Sequence, residues 1–187
     1  MANNYPRHPA KYYRQDGTQI FPQQVNNRLD LADPRSYVPT GDGYIAVVNK
    51  GGSTSISHGS KRIRRSEADL TRPVTMYVRN PVDRFISGWR YFSWDHPEFI
   101  HYPHQLSGDA WFEYITDFAP LDLHWLPFTA VHQIQEHWTL LPLSALPGKK
   151  FNEGKKYNEP LPKRLQDKVE EFYKGDMAVW RSVTGKS

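Results

Sequence analysis

Two short stretches of the chain carry the residue types of an anion-binding site. The first, Lys50-Gly51-Gly52-Ser53-Thr54-Ser55, follows the apolar run Tyr44-Ile45-Ala46-Val47-Val48. A turn that leaves a strand and opens a helix offers unpaired backbone N–H groups and a positive dipole end. Gly51 and Gly52 let the backbone close around a ligand, Lys50 adds a point charge, and Ser53, Thr54 and Ser55 add hydroxyl donors and helix caps. These types make a phosphate or sulfate cradle. The plain alternative is an ordinary strand-to-helix turn, and the order is not that of the Walker loop, in which glycines precede the lysine.

The second stretch, Arg79-Asn80-Pro81-Val82-Asp83-Arg84-Phe85-Ile86-Ser87, follows the apolar run Val74-Thr75-Met76-Tyr77-Val78. It puts an arginine at a strand end and a serine two helical turns later, and Pro81 suits the first turn of a new helix. A guanidinium grips phosphate through two parallel N–H donors. Two anion sites on neighbouring strand ends suit a nucleotide phosphorylated at two positions.

Regular elements must hold these stretches. The spacing predicts strands over 44–48, 74–78 and 138–141, a helix starting at 56, and helices over 82–92, 109–118 and 162–173, with Asp109 capping the helix that it opens. Phe85, Ile86 and Trp89 share one face of the 82–92 helix, and Leu165, Val169 and Phe172 form the core stripe of the last. Strand, turn and helix, repeated, is the pattern of a parallel α/β sheet, which places ligands at the carboxyl ends of its strands. The expected fold is a compact single-domain, P-loop-like parallel sheet flanked by helices. Residues 1–40 are polar and aperiodic and read as an irregular N-terminal arm, ahead of a catalytic domain over 41–187.

At 187 residues, 38% of them hydrophobic and none of them cysteine, the chain is expected to build one core without disulfides, in keeping with a reducing compartment. No window approaches the roughly 18 consecutive apolar residues of a membrane span, and the first residues lack a signal-peptide core. A soluble, cytoplasmic protein with no membrane partner is expected. The net charge of +4 is unevenly spread: between Asn49 and Arg90 nine Lys and Arg stand against three acids. A polyanionic ligand is therefore expected near that segment, with a solvated basic face as the plain alternative.

Two further stretches complete a resemblance. Asp122-Leu123-His124-Trp125-Leu126-Pro127 is similar to a His-Trp-x-Pro element, and Phe172-Tyr173-Lys174-Gly175-Asp176 to a closing helix followed by a Tyr-x-x-Asp segment. With the first two stretches, and in the same order over 44–183, they resemble the sulfotransferases that use 3′-phosphoadenosine 5′-phosphosulfate (PAPS), above all the carbohydrate-directed branch. Two departures stand out: Asn49 occupies the place where a proline often precedes the lysine, and the cysteines that follow His-Trp-x-Pro in many Golgi members are absent.

The resemblance implies a sulfotransferase fold, PAPS as donor and 3′,5′-bisphosphoadenosine (PAP) as product, with no metal required. Lys50, Gly51, Gly52, Ser53, Thr54 and Ser55 would hold the 5′-phosphosulfate, Lys50 also stabilising the departing phosphate, while Arg79 and Ser87 would grip the 3′-phosphate. The acceptor would be a hydroxyl, a carbohydrate's among the choices. A general base must take its proton; His124, His58 and Asp122 are the candidates in that order, and a structural histidine beside Trp125 is the plain reading of His124.

Rival readings are a P-loop-like kinase or hydrolase, which lacks the Walker order and an acidic magnesium ligand at a strand end, and a nucleic-acid-binding surface on Lys61, Arg62, Arg64 and Arg65. Nucleic acid is not the expected partner. His96, His101 and His104 share one loop without the spacing of a metal site. Trp89, Tyr91, Phe92 and Trp94 would stack on a ring or fill the core.

Overall fold

The computed structural model describes residues 35–49, 56, 59–95, 104–118, 124–147 and 160–186. Its centre is an open five-stranded sheet built from β1 (Arg35–Pro39), β2 (Tyr44–Ala46), β3 (Ile63–Arg64), β4 (Val74–Val78) and β5 (Thr139–Pro142). The strand order is β3-β1-β2-β4-β5. β2, β4 and β5 run parallel, whereas β1 is antiparallel to β2 and β3 is antiparallel to β1.

The expected all-parallel sheet is therefore corrected to a mixed one, and the irregular arm is corrected at its last residues, which form β1. The physical reason is a tight turn. Thr40 N–H donates to Gly43 O at 2.9 Å, and the Asp42-Gly43 pair is a hairpin signal that turns β1 straight into β2. Tyr37 and Val38 of β1 then pair with Ala46 and Ile45 and are buried.

Gly43 also sets the register of the parallel pair. Tyr44 N–H donates to the Pro73 carbonyl at 2.9 Å, and a Cβ on Gly43 would lie 1.9 Å from that oxygen. Only glycine lets the two strand entries approach this closely. Tyr44 then aligns with Val74, Ile45 with Thr75 and Ala46 with Met76.

Side chains alternate across the sheet, and both faces are covered. Ala46, Val48, Val74, Met76 and Val78 join Tyr37, Phe128 and Trp138 on one face, and Val47 and Tyr77 join Val38 and Ile56 on the other. Burial on both faces is why 44–48 and 74–78 read as unbroken apolar runs.

The helices are α1 (Pro81–Arg90), α2 (Gly108–Glu113), α3 (Phe128–Val131), α4 (Lys163–Phe172) and α5 (Lys174–Thr184). The Asn80 side chain accepts from Val82 N–H at 2.8 Å and so starts α1, with Pro81 in the first turn. Ser107, not Asp109, caps α2, accepting from Ala110 N–H at 3.2 Å. Asp109 sits in the first turn instead, where its charge meets the helix dipole.

α1, α2, α4 and α5 close over a second core of Phe85, Phe92, Trp111, Tyr114, Ile115, Leu165, Val169, Tyr173 and Met177. Each such side chain contributes about 1.5–3 kcal/mol when buried. Among the described residues no helix is long and apolar enough to cross a membrane.

Candidate functional site

Lys50, Gly51, Gly52, Ser53, Thr54, Ser55, His58 and Asp122 lie outside the described residues, as do His96 and His101. Asn49 and Ile56, which border the first stretch, are described. β2 and β4 are neighbouring parallel strands with Ala46 opposite Met76. Beyond these strands the chain runs on to Asn49 and to Arg79. The strands that precede the two stretches expected to bind anions are thus adjacent and parallel.

Arg79 is half-buried where β4 ends. Burial lowers its pKa, the like charge of Arg84 acts the same way, and Asp83 opposes both. A guanidinium starts so high that it stays cationic. Ser87 is half-buried on α1, one turn beyond Asp83 and Arg84 and on their side of the helix.

The centre of the region is a residue that sequence reasoning did not assign to the site. Arg84 is 3% exposed and pairs with Asp176, which is fully buried, with Nη1 to Oδ2 at 3.3 Å. Arg84 Nε donates to the Asn49 carbonyl at 3.0 Å. Its Nη2 donates to the Leu126 carbonyl at 2.6 Å and lies 3.5 Å from that of His124.

Asp176 is equally well engaged. Its Oδ2 also accepts from Phe128 N–H at 2.8 Å, and its Oδ1 from Thr129 N–H at 3.0 Å and the Thr129 hydroxyl at 2.7 Å. Burial pushes this carboxyl up from its ordinary range, while Arg84 and the Thr129 and Phe128 donors pull it down. These partners are all donors, which only the carboxylate can satisfy, so we take the ion pair as the working state. Tyr173 completes the hub. Its hydroxyl donates to the Trp125 carbonyl, and its ring lies 5.5 Å from the Arg84 guanidinium carbon.

One guanidinium therefore joins three of the stretches that carry the sequence resemblance and holds the residue that precedes the other. Asn49 precedes the first, Arg84 belongs to the second, His124 and Leu126 to the third, and Tyr173 and Asp176 to the fourth. The signal for this was present in the second and fourth stretches. What was missing was the pairing, since Arg84 and Asp176 are 92 residues apart.

His124 is half-buried, and its ring meets Phe92 edge-on at 5.0 Å. Its carbonyl faces Arg84, whose Nε holds the Asn49 carbonyl, so one guanidinium contacts the backbone of both residues.

A second histidine, His132, is buried beneath the site. Its pKa is lowered to about 4, chiefly by burial, with Arg84 and Arg65 adding to the shift and a hydrogen bond to the Val47 backbone opposing it. Its Nδ1 lies 3.4 Å from the Tyr37 hydroxyl. A cavity of about 10 Å³, the room of one water, is lined by Arg84, Asn49, Val47 and His132 among others.

The basic segment is woven into the domain rather than laid out in a row. Lys61 is exposed, but Arg62, Arg64 and Arg65 are half-buried. Arg65 Nη2 donates to Gln133 Oε1 at 2.5 Å, and the backbone N–H of Arg64 donates to Glu67 at 2.6 Å. Among the described residues no group of three side chains is placed to hold a metal ion. Of the aromatics that could stack on a ligand, Phe92 is buried and Trp94 is exposed.

No family model, curated protein or solved structure matches the chain. The functional reading rests on the geometry and on the motifs themselves.

Proposed function

We propose that the chain is a PAPS-dependent sulfotransferase with a P-loop-like core, moving a sulfuryl group from PAPS to a hydroxyl acceptor and releasing PAP. The observation that supports this reading is that Arg84, inside the second motif-like stretch, contacts the third and fourth stretches and Asn49, the residue before the first. Unrelated stretches of chain have no reason to meet at one buried cation, whereas parts of one site do. The second stretch starts at the carboxyl end of a parallel strand, where open α/β sheets bind ligands.

Sulfuryl transfer asks for positioning and charge more than covalent help. The acceptor oxygen forms a bond to sulfur as the bond from sulfur to the 5′-phosphate oxygen breaks, and the electron pair stays on that phosphate. Lys50 and the donors of Gly51, Gly52, Ser53, Thr54 and Ser55 meet the growing negative charge. Arg79 and Ser87 hold the 3′-phosphate and so fix the nucleotide's register. His124 takes the acceptor's proton, with His58 and Asp122 as the other candidates. Arg84 and Asp176 touch neither substrate; they hold the site's parts together.

Calorimetric binding of PAP, with AMP as control, tests the reading in the wild type, Arg79→Ala and Lys50→Ala. PAP should bind more tightly than AMP. Arg79→Ala should erase that preference, a loss of about 10-fold to 100-fold for a charge-assisted phosphate contact, and Lys50→Ala should weaken both nucleotides. Transfer from labelled PAPS to a panel of hydroxyl acceptors follows. If PAP binds no better than AMP, the reading fails, and salt-sensitive DNA or RNA binding becomes the next assay.

A further inference from the structure

Two of the side chains that line the cavity of about 10 Å³ have hydrogen-bonding capacity to spare. One is Ser36, on β1. It is 6% exposed, and its hydroxyl bonds no group among the described residues. The other is Arg84. A guanidinium has five N–H donors, and the fold offers this one four acceptors: the Asp176 carboxylate and the carbonyls of Asn49, Leu126 and His124. The fifth N–H has no acceptor among the described residues, in a side chain that is 3% exposed.

A hydroxyl and a cationic N–H left unmet at this depth are costly. One small ligand that accepts from Arg84 and exchanges a hydrogen bond with Ser36 removes both costs. Size and charge select it. The volume is that of a single water molecule; chloride is larger, and ammonium, close to water in size, would meet the positive charge of Arg84. A buried water makes about three hydrogen bonds, and His132, which lines the same cavity, is a third polar neighbour.

We infer that this cavity is a binding site for one ordered water molecule, held between the Ser36 hydroxyl and the Arg84 guanidinium, with His132 beside it. The water ties the antiparallel strand to the buried ion pair. Ser36 already accepts the Val47 N–H on its carbonyl at 2.7 Å, so its backbone holds the chain leaving β2 while its side chain reaches, through the water, the first residues of the 84–176 pairing. The site stands whether or not the chain binds PAP.

Oxygen-17 relaxation dispersion, which counts waters held longer than the protein tumbles, tests the site together with urea unfolding in the wild type, Ser36→Ala and Ser36→Val. The wild type should hold one more such water than Ser36→Val. Valine fills the cavity and evicts the water, leaving the Arg84 N–H unmet, whereas alanine leaves the water its room. Stability should therefore fall from wild type to Ser36→Ala to Ser36→Val, the last raising the unfolding equilibrium constant by about 5-fold to 30-fold. That order runs against strand propensity and against cavity filling, both of which favour valine.

Ser36→Val as stable as Ser36→Ala, or more so, overturns the inference, because a dry cavity gains from the added methyl groups. Equal numbers of long-lived waters in the wild type and Ser36→Val overturn it too. Should Ser36→Val not fold, by circular dichroism, a crystal structure of the wild type decides: density for one water within about 3.2 Å of Ser36 Oγ supports the site, and a cavity without density overturns it.

Discussion

Arg79 and Arg84 belong to one nine-residue stretch and have opposite settings. Arg84 is 3% exposed and spends its donors on protein acceptors: the Asp176 carboxylate and the carbonyls of Asn49 and Leu126. Arg79 stands half-buried at the end of β4, with Asp83 as a charge nearby. The difference teaches how one motif divides its labour. A buried arginine whose donors meet the fold is structural even when it lies in a binding motif, and the proposed function gives the ligand to the arginine at the strand end.

The sharpest way to break this contrast is to remove one half of the buried pair. Arg84→Ala or Asp176→Ala leaves an uncompensated charge and orphaned partners, and should cost about 3–5 kcal/mol in urea unfolding. A loss under about 1 kcal/mol would mean that Arg84 is not the structural partner described here.

His132 sharpens the buried side through pH. Its folded pKa of about 4 lies below its ordinary value of 6.5, so between those values the unfolded chain binds more protons than the folded one. Stability is therefore lost as pH falls from about 6.5 to about 4, on the order of 3 kcal/mol in total. His132→Gln should flatten that part of the profile, measured by denaturant unfolding at pH 7 and pH 4.5, with the carboxylate contributions common to both proteins. Parallel profiles would show that His132 is not held neutral.

Gly43→Ala tests whether the entry to β2 must touch the entry to β4. A methyl group 1.9 Å from the Pro73 carbonyl oxygen forces the strands apart and should cost about 1–3 kcal/mol. A wild-type melting temperature would show that the approach is adjustable.

The smallest stability effect is expected at the rim. Arg79→Ala should leave unfolding within about 0.5 kcal/mol of wild type while removing PAP selectivity. If instead it destabilises as much as Arg84→Ala, the division between the two arginines collapses.

Much of the fold was legible along the chain. Val74–Val78 is a strand as expected, α1 and α4 match their predicted spans to within two residues, and the stripe of Leu165 and Val169 is buried. These readings succeed because apolar runs, helical spacing and helix-starting residues such as Pro81 act over a few residues. β1 was less visible: Arg35–Pro39 is short and sits behind a long polar stretch, and its Asp42-Gly43 turn was the one local clue. α5 was read only as a segment following α4, because Tyr173 joins two helices that bend at a single residue.

The sequence alone determined the placement of two anion-suited turns after two apolar strands, the excess of positive charge around them and the order of the four motif-like stretches. Tertiary structure decided that Arg84 serves the fold, that Asp176 is its partner, that Arg62 reaches Asn49, and that burial lowers the pKa of His132. The physical reason is range. Propensity and periodicity are set by near neighbours, but a side chain's charge, desolvation and partner depend on what packs against it, and for Arg84 that partner lies 92 residues away.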